Sequence, residues 1–338
     1  MDPLLIAWEG DETHLFVNPK LPISENVVMP AMPGHIWLAT SGTTGQKYVA
    51  LSKKAFLISA AEVNSYLEAS SEDHWLAALP HFHVGGLSIY ARAYLARAKV
   101  YKLASWDPAA FVDAAKKVSF ASVVPSQLFD LVKQKKKAPG NFKRLIVGGA
   151  ALCDELRKRG EALNWPITHT YGMTECASQI AVEGTLLPHI QAKTDEQARL
   201  WIKSDSLLSG YLKGGDFVDP KISGWFQTGD LACLTDGKLI LLGRQEEMVK
   251  ILGEKVYLLP LKQRLQEICV TENLSIKFRL YPVADDRNGC SLHLDAAGPQ
   301  KQIQRLVAAY QNSVLPFERI ANFQCIPKQL ISCSEFQK

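Results

Sequence analysis

The stretch Ser41, Gly42, Thr43, Thr44, Gly45, with Lys47 two residues on, concentrates hydroxyls, glycines and an ammonium in one short segment. Backbone N–H groups, threonine hydroxyls and a cation can converge on one polyanion, so a phosphate cradle is the chemistry this composition suits. A plain surface turn uses the same residue types. The spacing is not that of a Walker loop, because Gly42 and Gly45 stand too close and Tyr48 follows Lys47. Further along, THTYGMTECAS (168–178) sets an aromatic ring, hydroxyls and a carboxylate together in Tyr171, Thr174 and Glu175. In GWFQTGDLA (224–232), Asp230 sits in a Thr-Gly-Asp turn and is suited to accept two hydrogen bonds from a ribose diol. LLGRQEEMVKILGEKV (241–256) offers Arg244 beside a glycine, then Lys250. His81 and His83, at i and i+2 in HFH, imitate a metal pair, but no third ligand follows nearby and a pocket lining is the favoured reading.

These residues need a scaffold, and the flanking patterns predict one. HWLAALP (74–80), KVYKL, FASVVP, RLIVGGA and PITHTYG read as short strands. LSIYARAYLARA (87–98), DPAAFVDAAKK, SQLFDLVKQ and CDELRKRGEAL read as helices between them, with Asp107 as an N-cap and Pro108 at the first helical position. Such alternation predicts parallel sheets with crossover helices, which bind ligands beyond the C-terminal ends of their strands. From about residue 198 the texture changes to short strands, with Asp236-Gly237 as a hairpin signal. After Arg244, one further helix–strand–strand–helix pattern predicts a compact α+β unit.

The 338 residues suggest two domains, and a composition 47% hydrophobic and 21% charged is that of an ordinary globular protein. A net charge of +4 does not imply nucleic acid or an anionic membrane as the main partner. The basic run KQKKKAPG (133–140) reads as a solvated helix end rather than a binding patch. Seven cysteines without a C-x-x-C pair argue against a disulfide framework or zinc site and fit a reducing compartment. The first residues lack the basic start of a signal peptide, no run approaches the ~20 apolar residues of a membrane span, and a cytoplasmic location is expected.

Taken in order, TSGTTG, YGMTE, TGD and GR…K…GEKV resemble the core motifs of the adenylate-forming, AMP-binding superfamily of acyl-CoA ligases, adenylation domains and luciferases. The resemblance covers roughly residues 35 to 330. It implies an α/β fold with a large N-terminal domain (1–243) of parallel and mixed sheets with crossover helices. A small mobile α+β domain (244–338) would follow, turning about a hinge at 244–247 on Glu246. It implies ATP, Mg²⁺ and coenzyme A as ligands and a small carboxylic acid as substrate, with no nucleic-acid partner and a possible homodimer. Ser41 to Gly45 and Lys47 would hold the β- and γ-phosphates, Gly148, Gly149 and Ala150 would line the adenine slot, and Tyr171, followed by Gly172, would stack on the base. Thr174 would contact phosphate, Glu175 would bind Mg²⁺, and Asp230 with Arg244 would hold the ribose. LPHFHVGGLSIYARAYLARAKV followed by SVVPSQLFDLV looks most like the o-succinylbenzoate–CoA ligases of menaquinone biosynthesis. That likeness puts His83 and Ser126 at the acyl pocket and Arg92 on the substrate's distal carboxylate, with a surface arginine as the plainer reading of Arg92.

The chain departs from the superfamily pattern at four places. The phosphate segment lacks its proline and carries Lys47 one residue early, and only about forty residues precede it, so a shortened N-terminal region is expected. Pro260 and Lys262 replace acidic residues after GEKV. The tail offers Lys338, or less suitably Lys328, as the catalytic lysine of adenylation. Other readings stay open: another acyl or aryl ligase or adenylation module, or a nucleotide-binding relative of little activity with a regulatory role.

Overall fold

The computed structural model of the chain describes residues 3, 6–19, 29–42, 45–285 and 287–327. The short strand β1 (His14–Phe16) precedes a long hairpin, β2 (His35–Gly42) and β3 (Gly45–Ser52), and α1 (Lys53–Leu67). Strands and helices then alternate: β4 (Trp75–Ala77), α2 (Val84–Ala96), β5 (Val100–Lys102), α3 (Pro108–Ala115), β6 (Phe120–Val123), α4 (Pro125–Lys133), β7 (Arg144–Val147), α5 (Asp154–Glu161) and β8 (Ile167–Met173). A strand-rich stretch follows, with β9 (Ser178–Val182), β10 (Thr185–Leu186), β11 (Gln191–Thr194), β12 (Arg199–Lys203), β13 (Gly210–Lys213), β14 (Asp216–Val218), β15 (Phe226–Thr235) and β16 (Lys238–Arg244). Beyond Arg244 come β17 (Met248–Ile251), β18 (Glu254–Tyr257), α6 (Leu258–Thr271), β19 (Lys277–Asp285), β20 (Gly289–Ala297), α7 (Gln300–Gln311) and β21 (Ile320–Cys325).

Two large sheets organise the first part. One has five strands in the order β1-β2-β3-β13-β14, and the other has eleven, β11-β12-β15-β16-β10-β9-β8-β7-β6-β4-β5. Strands β4 to β8 pair in parallel, with the apolar sequences and crossover helices that parallel sheets require. Local signals act where the sequence places them. Asp107 accepts from Ala110 N at 2.8 Å and caps α3. Asp236 and Gly237 both take positive φ, 52° and 73°, in the tight turn between β15 and β16.

The hydroxyl- and glycine-rich segment is entered and left by paired strands. Thr43 and Thr44 lie outside the described residues, but Gly42 pairs with Gly45 and Ser41 with Gln46. Ser41, Gly42 and Gly45 therefore belong to the antiparallel strands β2 and β3, because the flanking runs are both strand-forming and pair with each other in register down to His35 and Ser52.

Residues after Arg244 gather on a core of their own. Leu265, Leu294, Leu306 and Tyr310 are fully buried in it, between α6, α7 and the three-stranded sheet β19-β20-β21. α6 also packs on α5, where Arg159 donates to Asn273 Oδ1 at 2.9 Å and Thr271 O at 3.3 Å.

Candidate active site

The parallel strands end together at one edge of the large sheet, and the residues singled out by sequence stand there or just beyond. β8 carries Tyr171 and Gly172 at its C-terminal end, and a single 3-10 turn then presents Thr174 and Glu175 before β9 turns back. Gly172 makes this reversal possible, since a Cβ there would lie 1.9 Å from Ser178 O. Gly148 and Gly149 follow β7. A side chain on Gly148 would come within 2.7 Å of Thr170 Oγ1, so its absence serves the packing of β8 and not only a ligand's approach. Ala150 follows them in the same β7–α5 connection.

Two polar clusters form at this edge. In the first, Tyr171 Oη donates to Asp230 Oδ2 at 2.5 Å, and Arg244 Nε pairs with Asp230 Oδ1 at 2.8 Å. Asp230 and Arg244 face each other as register partners across the β15–β16 hairpin. Thr228, Gly229 and Asp230 lie within β15 rather than in the turn expected from the sequence, because the run pairs with β16. The Asp230 N–H donates to Thr228 Oγ1 at 3.0 Å. Burial raises the Asp230 carboxyl above its ordinary value, against the lowering pull of Arg244 and the Tyr171 hydroxyl. Burial likewise raises the Tyr171 phenol, and the Asp230 charge adds to it. The arrangement is a carboxylate with an aromatic ring on one side and an exposed guanidinium on the other.

In the second cluster, Glu175 Oε1 accepts from Tyr211 Oη at 2.8 Å and lies 3.4 Å from Lys47 Nζ. The Lys47 ammonium stands 4.1 Å from the centre of the Tyr211 ring. Lys47 comes from β3 and Tyr211 from β13, neighbours in the five-stranded sheet, whereas Glu175 stands in the turn joining β8 and β9 of the eleven-stranded one. The cluster therefore bridges the two sheets. Tyr211 was not singled out by sequence; its contact with Glu175, 36 positions away, arises from the pairing of β13 with β3. Its only local signal is an aromatic residue following Gly210, where a Cβ would crowd Phe217 at 2.5 Å.

Arg92 lies in the middle of α2 and is 2% exposed, which overturns its reading as a surface arginine. Its Nη2 donates to Ser88 Oγ at 3.0 Å and Ser178 Oγ at 3.2 Å, and its guanidinium stands 5.4 Å from the centre of the Trp75 ring. Nε and Nη1 have no partner among the described residues. Burial lowers its pKa to about 9, since no carboxylate offsets the cost of an interior cation. Ser178 ties it to the segment that carries Glu175.

The remaining residues are more peripheral. His83 caps the start of α2 as an exposed residue, its ring centroid 4.7 Å from that of Phe82. Ser126 is exposed in the first turn of α4 rather than drawn into either cluster. Glu246 is exposed in the short turn after β16, where its neighbour Glu247 pairs with Lys262 of α6 at 2.7 Å. Lys328 and Lys338 lie outside the described residues.

Comparison with known proteins gives these positions a context. A family model described as AMP-binding enzyme matches residues 36–212. The 2-succinylbenzoate–CoA ligase of Geobacillus sp. is 31% identical over 249 residues, covering 64% of this chain and 50% of that protein. The enzyme of the same name from Staphylococcus aureus is 28% identical over 239 residues, covering 64% and 49%. The chain thus spans about half the length of the curated relatives it matches. Among solved structures, o-succinylbenzoate CoA synthetase (MenE) from Bacillus subtilis, in complex with the acyl-adenylate intermediate OSB-AMP, superposes with a TM-score of 0.78 at 21% identity, over 86% of this chain and 65% of that one. Escherichia coli MenE with an analogue of OSB-AMS gives 0.69 at 24% identity, over 88% and 66%. At these identities the likeness is one of fold.

Proposed function

Because the chain belongs to the AMP-binding enzyme family, we propose that it activates a carboxylic acid with ATP and passes the acyl group to the thiol of coenzyme A, with o-succinylbenzoate as the acid. A carboxylate is a poor electrophile, so its oxygen first attacks the α-phosphorus of ATP and pyrophosphate leaves. The resulting mixed anhydride then loses AMP when the thiol attacks its carbonyl. The chain's part in this is positioning and charge stabilisation. Asp230 and Arg244 would hold the ribose hydroxyls, with Tyr171 and the Gly148–Ala150 turn beside the base. Lys47 and the β2–β3 hairpin end, with Thr174, would hold phosphates. Glu175 would hold magnesium, which when bound neutralises phosphate charge. A single carboxylate fits that ion, which commonly binds through one or two carboxylates together with waters and phosphate oxygens. Among the described residues no three His, Cys, Asp or Glu stand together as a protein-only metal cage. His83 and Ser126 would sit at the acyl entrance, Lys338 would act in adenylation, and Glu246 would serve as the hinge of a mobile second domain.

The observation that carries the substrate reading is Arg92. Among the described residues its interior guanidinium has no counter-charge and keeps two N–H-bearing nitrogens unpartnered. A dicarboxylate supplies what is missing: one carboxylate reacts while the other forks onto the guanidinium. The free thiols among the described cysteines fit a cytoplasmic setting, and a homodimer would sediment at twice the chain's mass. Pyrophosphate release, measured with a panel of acids with and without coenzyme A, tests the proposal. Release should be greatest with o-succinylbenzoate. Preference for simple benzoates or fatty acids would remove the substrate assignment, and release with no acid would remove the ligase reading.

A further inference from the structure

The connections that enter the parallel strands lie side by side at the end of the sheet opposite the candidate site. Trp75 N donates to Lys99 O at 2.9 Å, Phe120 N to His74 O at 3.1 Å and Lys143 N to Ser119 O at 2.8 Å. Asn141 Nδ2 donates to Lys116 O at 2.9 Å, and Trp165 Nε1 to Lys136 O at 2.8 Å. Residues 68–74, 97–99, 116–119 and 134–143 therefore form one continuous surface. It carries eight lysines and arginines against three carboxylates of its own, with Asp113 of α3 a fourth at its edge. Lys99, Lys116, Lys117, Lys135, Lys137 and Lys143 are all exposed. Among the described residues, Lys143 pairs with Asp73 at 2.6 Å and Lys116 with Asp113 at 2.7 Å.

The last turns of α1 and α2 reach the same end and expose apolar groups there. Tyr66, Tyr94 and Leu95 are 47%, 42% and 39% exposed. Tyr101, on the edge strand β5, is 37% exposed, and its ring stands 5.9 Å from that of His74. Helix dipoles account for the cations at the ends of α3 and α4. They do not account for Lys99, Lys137 and Lys143, which lie away from those last turns, nor for tyrosines and a leucine beside them.

We propose that this end of the sheet docks reversibly on an anionic phospholipid bilayer. The lysines would face headgroup phosphates, and Tyr66, Tyr94 and Leu95 would sit at the boundary of headgroups and acyl chains. Of the eight cations all but Arg97 are lysines, point charges that suit a diffuse array of headgroups better than the forked contacts of sequence readout on nucleic acid. Exposed Leu95 gains from an apolar medium that a nucleic-acid backbone does not offer. No helix among the described residues is long and apolar enough to cross a membrane, so the association is peripheral. It is independent of the ligase reading and leaves the candidate site pointing away from the lipid.

Co-sedimentation of the full chain with vesicles tests this, using phosphatidylcholine alone or with about a third phosphatidylglycerol, at low and high salt. Binding should require the anionic lipid and weaken with salt. The triple change Lys135→Gln, Lys136→Gln, Lys137→Gln should weaken it by about tenfold or more, with an unchanged melting temperature. Tyr94→Ser with Leu95→Ser should remove the fraction that survives high salt. Absence of binding to anionic vesicles, wild-type binding by the lysine variant, or displacement from vesicles by duplex nucleic acid would each overturn the proposal.

Discussion

Arg92 holds a charge in the interior with hydroxyls and an indole ring for company, an arrangement that costs stability unless a ligand completes it. Arg92→Met should therefore raise the stability of the unliganded protein by about 1–3 kcal/mol, as apolar replacement of buried charges often does. It should also raise KM for the dicarboxylate roughly ten- to a thousandfold, because the site's recognition of the second carboxylate is lost. Lysine at 92 should restore binding only in part, keeping the charge without the fork. The gain in stability should depend on pH. Above about 9 the folded protein releases the Arg92 proton while the unfolded chain keeps it, so the wild type becomes more stable there and the gap to Arg92→Met narrows. Urea titrations from neutral to alkaline pH read this directly; a constant gap, or a destabilised methionine variant, would show that the interior charge is not the cost. Much of the site was legible at this scale, because Tyr171, Glu175, Asp230 and Arg244 sit in short segments whose order carries the information. Tyr211 was not, because only strand pairing brings it to Glu175.

The elements were legible wherever apolar runs alternated in length and composition, as in the β4–β8 series, where strand and helix periods differ plainly. Two features were not. Ser41, Gly42 and Gly45 read as part of a loop because glycine and hydroxyl residues favour turns, whereas pairing between β2 and β3 overrides that preference at these positions. The continuity of the eleven-stranded sheet passes through the two-residue strand β10, too short to leave any period in the sequence. The short turn Gln245–Glu247 is the element on which the proposed domain rotation depends. Proline at 246 fixes φ there and limits any rearrangement. Glu246→Pro should spare acyl-adenylate formation and slow thioester formation. Equal losses in the two half-reactions, followed separately by pyrophosphate release and by thiol consumption, would remove the hinge from the mechanism.

At the scale of the molecule, most apolar residues after Arg244 bury a core of their own, with Val270 of α6 joining a core of the preceding part. The two parts meet mainly where α6 packs on α5 and the end of β16. The smaller core should unfold at lower denaturant, since a smaller unit buries a smaller share of its surface. All seven tryptophans lie before Arg244, so their fluorescence reports the larger part alone, whereas far-ultraviolet circular dichroism reports both. The two signals should therefore give transitions that do not coincide. Coincident curves would mean that the α5–α6 seam couples the parts into one cooperative unit. The charge asymmetry also belongs to this scale. A net charge of +4 reads as unremarkable in the sequence because carboxylates elsewhere cancel the cations that the fold collects at one end.

In the proposed site, the contact of Lys47 and Glu175 across the two sheets would work as a two-key lock. Free magnesium approaching the carboxylate meets the ammonium's like charge, and free phosphate approaching the ammonium meets the carboxylate's. A magnesium–triphosphate chelate would present both signs at once and replace the contact with one to each partner. Admission would thus depend on cation and anion arriving together, so that calorimetry should show each binding far more weakly alone than in company, and the protein would ignore the loose magnesium and phosphate around it until they come as one body.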